Sequence, residues 1–228
     1  MHSNVLEEIE GLVEGRLIRR VNRFVIEVDV NSSRARAHLR DSGRLSELMK
    51  EGNTVLMREK TREKTQFEVF VVYDGDKPVI VNSSLHSILG ARVLEMLGYK
   101  IVKKEVKLGD SRIDLLAEKD EKEIFVEIKG CTLVKKGTAL FPDAPTERGV
   151  KHVKKITEVG GMILFLVMRE DARRMMPNVE THPEFASVLR NAVEKGVDVR
   201  AALLKPLIKE DKLSIKFKGC IPLIFPDL

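Results

Sequence analysis

The stretch "RIDLLAEKDEKEIFVEIKG", residues 112–130, decides how the second half of this chain folds. Two runs of alternating apolar and polar residues flank a charged tip, the pattern of a β-hairpin. With the tip midway between Asp120 and Glu121, Ile113 faces Ile128, Leu115 faces Val126 and Ala117 faces Ile124. That continuous apolar face fixes the register. The same pairing sets Asp114 opposite Glu127 and Arg112 opposite Lys129. Directly opposed side chains have Cβ atoms roughly 4.5–5.5 Å apart, where like charges destabilise a sheet. A divalent cation removes the conflict, since Mg2+ (or Mn2+) is held by one or two carboxylates together with waters and phosphate oxygens. Lys129 lies on the same face as Glu127, where an ammonium can orient a metal-bound water and stabilise charge on a phosphoryl transition state. Asp114, Glu127 and Lys129 are therefore the candidate catalytic set for metal-assisted phosphodiester hydrolysis, with Asp114 and Glu127 as metal ligands. A solvated face on which Lys129 merely neutralises Glu127 has the same spacing; the register and the flanking element order favour the site. On this reading, neutralising either acid relieves the metal-free fold.

Downstream, "FPDAPTERGVKHV" (141–153) leads into a helix expected from about Ala144 to Val159. Pro142 and Pro145 stiffen the approach, and Asp143 or Thr146 caps the helix. Glu147 and Lys151, then Arg148 and His152, lie one turn apart. Such a helix is either laced with surface ion pairs or turned toward phosphates beside the metal, with Arg148, Lys151 and His152 as contacts. Upstream, Asn82 or Ser83 caps a helix through about Leu97, with Leu85, Ile88, Leu89, Val93, Leu94 and Leu97 on its apolar stripe. A buried strand, "MILFLVM" (162–168), a last helix and two more strands complete the order αβββαβ followed by αββ.

Residues 12–73 read differently. Short alternating runs separated by turn signals such as "NSS", "DSG" and "EGN" predict a small β-barrel of OB-like type. "RLSELMKEG" is expected to form one short helix within it, and "RDSGRL" (40–45) a turn. The division falls near residue 80: an OB-like domain over 1–80 and a second domain over 81–228. Residues 15–45 carry eight arginines, no lysine and three acids. Guanidinium forks suit phosphate contact and base stacking, which makes Arg16, Arg19, Arg20, Arg23, Arg36 and Arg44 candidate nucleic-acid contacts. Phe24 and Phe67 are expected in the core.

Composition narrows the classes. With 43% hydrophobic and 33% charged residues, the chain is a folded domain rather than a disordered one. The net charge of +5 sits wholly beyond residue 80, where 26 Lys and Arg face 21 Asp and Glu. No apolar run is long enough for a bilayer, the acidic start is no secretory leader, and Cys131 and Cys220 form neither a metal pattern nor a disulfide framework. The expected location is the cytoplasm. No helix pair with a tight glycine turn supports a helix-turn-helix regulator.

The motifs "RFVIEV", "HLRDSGRL", "SRIDLL", "VEIKGCTL", "FPDAPTERGVKHV" and "PEFASVLRNAVEKGVDVRA" resemble, in order and over nearly the whole chain, the sugar fermentation stimulation protein A (SfsA) family. The resemblance implies an OB-like domain joined to a PD-(D/E)XK nuclease-like domain, an α/β (α+β) chain. It also implies nucleic-acid binding and a link to sugar-utilisation genes. The nuclease motif then falls on Asp114, Glu127 and Lys129, and the loop-helix motif on Asp143, Thr146, Glu147, Arg148, Lys151 and His152. Where the family tends to carry a glutamate in the first helix, this chain has Arg92, with Glu95 one turn on; if that glutamate belongs to the metal shell, Glu95 replaces it or the shell is incomplete. Two functions follow: a Mg2+-dependent phosphodiesterase acting on DNA without sequence preference, or also on RNA; or a DNA-binding regulator of sugar-utilisation genes that keeps a nuclease fold without turnover.

Overall fold

The computed structural model describes residues 4–41, 43–60 and 64–226. The first strands are β1 (Val5–Ile9), β2 (Leu12–Asn22), β3 (Val25–Val30), β4 (Ser33–His38), β5 (Thr54–Glu59), β6 (Phe67–Asp74) and β7 (Lys77–Ile80). Antiparallel pairs β2–β3, β3–β4, β5–β6 and β2–β5, closed by a parallel β4–β6 contact, make a ring of five strands to which β7 adds at β6. This is the expected OB-like barrel. Alternation along each strand sends Leu17, Ile26, Val28, Ala37, Val55, Met57, Val69 and Val72 into its core.

Three expectations about this half fail. β1 leaves the barrel and pairs antiparallel with the last strand of the chain, so residues 1–80 are not one structural unit. "RLSELMKEG" forms a turn rather than a helix: Leu45 sits at φ +48°, a left-handed conformation that stops a helix before it starts. Leu45 and Leu48 instead drop into the barrel core. Phe67 is buried as expected, but Phe24, at the β2–β3 tip, is 46% exposed because the hairpin projects past the barrel interior.

The rest comprises a 3-10 turn (Ser83–Leu85), α1 (His86–Met96), β8 (Lys100–Leu108), β9 (Ser111–Lys119), β10 (Lys122–Cys131), β11 (Val134–Lys135), β12 (Thr138–Phe141), α2 (Glu147–Val159), β13 (Met162–Val167), β14 (Arg174–Pro177), α3 (Pro183–Glu194), β15 (Asp198–Lys209) and β16 (Lys212–Ile221). A seven-stranded sheet runs β1-β16-β15-β13-β10-β9-β8. Its two faces bury separate cores. Met162, Leu164 and Leu166 of β13 pack with the α1 stripe, and Ile163, Phe165 and Val167 pack with Val150, Val153 and Ile156 of α2 and Phe185 and Leu189 of α3. β13 is apolar throughout because it is covered on both sides. The small sheet β11-β12-β14 was not expected, since strands of two and four residues are too short to show alternation. No helix among the described residues is long and apolar enough to cross a membrane.

Arg169, just past β13 and 2% exposed, joins the two halves. Its guanidinium donates to Asp171 at 2.6 and 2.8 Å and to Asp74, the last residue of β6, at 3.0 Å. Replacing Arg169 with Met leaves both acids without their shared partner. Since both remain partly solvated, the expected loss is about 2–4 kcal/mol, somewhat less than for a fully buried pair. Thermal unfolding at neutral pH checks it: a melting temperature unchanged within error would show that the clamp does not hold the halves together.

Candidate active site

The β9–β10 ladder follows the expected register from Lys119–Lys122 through Leu115–Val126, and there it ends. Asp114 is the reason. Its Oδ2 accepts the N–H of Ile128 at 2.7 Å, so a side chain takes a donor that a continued ladder would have used. Ile113 consequently packs in the α2–α3 core while Leu115 packs in the α1 core. The expected cross-strand pairs Ile113–Ile128 and Asp114–Glu127 are thus replaced by a carboxylate binding backbone. Asp114 still feels Glu127, however. Burial first, and the neighbouring Glu127 charge second, push its carboxyl up to about 6.

Glu127 and Lys129 reach the α2 face through β13. Parallel pairing of β10 with β13 sets Glu127 beside Ile163 and Lys129 beside Phe165. Glu127 is 3% exposed. Its Oε1 accepts from both Lys129 Nζ and His152 Nδ1, while its Oε2 is buried with no hydrogen-bond partner. His152 is itself placed by Arg148, whose Nε donates to His152 Nε2 at 3.4 Å. These two partners select the neutral tautomer with hydrogen on Nδ1. Burial opposes ionisation of Glu127, but the hydrogen bonds from His152 and Lys129 and the Lys129 charge outweigh it and hold its carboxyl below the usual range. The two acids are therefore electrostatically unlike, and the expectation that neutralising either has the same effect is withdrawn.

Thr146 caps α2, its hydroxyl accepting from Gly149 N at 3.0 Å. Asp143, the other candidate cap, does something else: its Oδ2 accepts from Leu45 N at 3.2 Å, tying the 141–146 loop to the barrel's 41–45 loop. A Cβ on Gly43 would lie 2.4 Å from that same oxygen, so a larger residue there would have to displace the Asp143 carboxylate. Asp41 accepts from Gly43 N at 2.7 Å, and burial, with Asp143 nearby, pushes its carboxyl up to about 6. The two sequence motifs "HLRDSGRL" and "FPDAPT" therefore meet in space. Between them and the hairpin lies a cleft of about 330 Å³ whose walls include Asp114, Glu127, Lys129, Asp143, Arg148 and Arg23.

The remaining candidates divide. Arg92 binds the Leu6 carbonyl and pairs with Glu7 at 3.0 Å, fastening β1, and Glu95 is exposed on the same helix; neither lines the cleft. The first helix contributes His86 instead. Its ring rests on Gly130, where a Cβ would come within 2.3 Å of it, and burial with Lys129 nearby lowers its pKa to about 4. His86 went unnoticed in the sequence, where only its place just after the helix cap marked it. Lys151 pairs with Asp110 at 2.7 Å rather than with Glu147. Arg16 pairs with Glu14, and Arg19 and Arg36 pair with Glu27, away from the cleft. Arg20 donates to the carbonyls of Asn22, Arg23, Gly43 and Arg44, a structural staple rather than a phosphate contact. Arg20, Arg23 and Arg44 do border a shallow groove with Ala144 and Pro145, which adjoins the cleft through Arg23.

A second group, Glu147, His182 and Glu184, brings potential ligand atoms within 4.8 Å of one another. His182 Nδ1 accepts from Thr146 N at 3.1 Å, which puts the ring's hydrogen on Nε2, facing Glu147. That tautomer offers a cation no lone pair; the group fixes the starts of α2 and α3 together.

Comparison with known proteins agrees with this architecture. Residues 18–81 match the family model for the SfsA N-terminal OB domain, and residues 79–209 match the sugar fermentation stimulation protein RE domain. A sugar fermentation stimulation protein homolog of Methanothermobacter thermautotrophicus is 43% identical over 218 residues, covering 90% of this chain and 91% of the relative. One from Saccharolobus solfataricus is 39% identical, covering 86% and 80%. The structure of Pyrococcus furiosus SfsA in complex with Ca2+ superposes with a TM-score of 0.88 at 29% identity, covering 96% of this chain and 99% of that one.

The unlike acids have opposite signatures. An unfolded aspartate titrates near about 3.9, whereas folded Asp114 titrates near about 6. Between those values the folded chain keeps a proton that the unfolded chain has released, so this group lowers stability as pH rises through the window. Asp114→Asn keeps an acceptor for Ile128 N and should raise metal-free stability at pH 7.5 by on the order of 1–2 kcal/mol, flattening the slope between about pH 4 and 6. Glu127→Gln removes a charged acceptor from two donors and should lower it by about 1–3 kcal/mol. Melting curves in EDTA across pH decide; equal shifts of the same sign in both variants would refute the division of roles.

Proposed function

The chain belongs to the sugar fermentation stimulation protein family, built from an OB domain and a restriction-endonuclease-like (RE) domain, and from that premise we propose that it is a divalent-cation-dependent phosphodiesterase acting on nucleic acid, DNA foremost. One observation carries the reading: Glu127 Oε2, buried and without a partner, beside the carboxyl of Asp114 in a cleft that also holds Lys129. An unsatisfied buried acceptor is costly, by about 1–3 kcal/mol and more when charged. A cation held by Glu127 and Asp114 satisfies it and draws both acids into their ionised forms. The donor set is all oxygen, which fits Mg2+, Mn2+ or Ca2+, and the Pyrococcus furiosus relative is described in complex with Ca2+.

When bound, such a cation supplies Lewis-acid polarisation and a more acidic water. The chain's own residues do the positioning. Lys129 is anchored by Glu127 at the cleft wall, where its ammonium can bind a phosphate oxygen and stabilise charge that develops there. The Arg148–His152–Glu127 chain of hydrogen bonds holds the carboxylate in one orientation, and Arg148 reaches the cleft as a second cation. Asp114, pinned by Ile128 N, cannot swing away. Arg23 and Arg44 offer backbone contacts along the neighbouring groove, a pattern that reads phosphates and not base order.

Incubation of single- and double-stranded DNA and RNA with Mg2+, Mn2+ or EDTA tests the proposal. Cleavage should require the cation, and Lys129→Ala should lower its rate by on the order of 10²–10³ while leaving the cation-induced rise in melting temperature intact. Binding in EDTA should fall with salt by a log–log slope of about −0.9 per phosphate contacted on duplex. Binding with that salt slope but no turnover with either cation would instead identify a DNA-binding regulator on a nuclease fold.

A further inference from the structure

We infer that the tip of the β2–β3 hairpin is a base-stacking platform, and that the strand delivered to the cleft is therefore single-stranded DNA with unpaired bases. The inference rests on the proposed nucleic-acid reading and specifies its substrate. Among the described residues Phe24 is the most exposed of the large hydrophobic side chains, at 46%. An aromatic ring left that open gains little from burial on folding, and it is not loosely held. Phe24 N donates to Asn22 Oδ1 at 2.9 Å, its carbonyl accepts from Leu39 N at 2.9 Å, and Arg20 fixes the adjacent Arg23 carbonyl at 2.8 Å. The ring is thus presented by a turn braced on three sides, which reduces the entropy lost when a partner stacks on it.

The surroundings select the partner. The Arg23 guanidinium lies 5.7 Å from the Phe24 ring centroid, a cation over an aromatic face. Arg23 lies in both the wall of the catalytic cleft and the groove lined by Arg20, Arg44, Ala144 and Pro145. A ring that offers a π-face, next to arginines that offer phosphate contacts, matches the alternation of base and phosphate along one strand. The position agrees with general OB-fold usage, in which the loop between the first two barrel strands contacts oligonucleotides. A duplex keeps its bases stacked on each other and offers Phe24 none except at an end.

The test uses the full chain in EDTA, so that no turnover occurs, with fluorescence anisotropy on three probes: a labelled single-stranded DNA 12-mer, an abasic oligomer of equal length, and a closed hairpin duplex. Wild type should bind the base-bearing strand about tenfold more tightly than the abasic one. Phe24→Ala should lose about that factor on the base-bearing strand and nothing on the other two, and Phe24→Trp should restore it. An unchanged melting temperature for Phe24→Ala, expected of so exposed a side chain, shows that the fold is intact. The inference is overturned if Phe24→Ala binds the base-bearing strand like wild type, or if it weakens all three probes equally. Failure of cleavage with Mg2+ or Mn2+ alongside a Phe24-dependent base effect removes the enzyme reading alone; cleavage without that base effect removes the platform alone.

Discussion

A buried carboxylate with one oxygen accepting two hydrogen bonds and the other accepting none is the constraint around which the site is arranged. Glu127 is buried because β10 lies between β9 and β13 inside a sheet covered by helices on both faces. Burial of a charge demands partners, and the chain supplies them from two elements: Lys129 from the same strand and His152 from α2. Those partners fix where α2 must sit. The cap at Thr146, the His182 bond to its backbone N–H and the Asp143 tie to Leu45 then follow the helix start outward to α3 and to the barrel. Each added contact narrows the freedom of the next. A cleft results whose walls come from both halves of the chain.

The hairpin register was legible in the sequence because apolar alternation leaves one solution from Ala117–Ile124 to Leu115–Val126. Its end was not. Pattern reasoning treats a side chain as facing in or out and has no means to see a carboxylate turning onto a backbone N–H, as Asp114 does with Ile128. The same limit explains Asp143 and Arg20, whose composition suggested a helix cap and a phosphate contact but whose bonds run to backbone atoms distant in sequence. Phe24 was misplaced because hydrophobicity alone assigns it to a core, whereas its position at a projecting turn decides otherwise. His86, a single ring after a cap, carried no periodic signal at all. Asp114, Glu127 and Lys129 were found by a charge conflict that only partly exists in the fold; the residues do line one cleft, with the ionised form favoured at Glu127 and disfavoured at Asp114 where symmetry implied like behaviour.

The arginines of the first 45 residues divide by what they touch in the fold. Arg19 and Arg36 share Glu27 across β2, β3 and β4, and Arg20 holds two loops by their carbonyls. Arg19 and Arg36 hold Glu27 while staying largely exposed. Arg20, Arg23 and Arg44, at one end of the barrel, border the groove that adjoins the cleft. Charge position matters here more than charge total.

The pairing of β1 with β16 bears on how the chain is made. Val5 meets Lys216 and Ile9 meets Leu213, so β1 leaves the ribosome long before β16, its hydrogen-bond partner. In the meantime its buried residues, Leu6 and Ile9, have no sheet to cover them. The five-stranded ring needs nothing from that pairing and can close early, whereas the seven-stranded sheet closes only when the two ends of the chain are brought together. Such long-range closure is slow relative to local pairing. Synthesis order therefore separates an early barrel from a late sheet, and the cleft walled by both is among the last features to take shape.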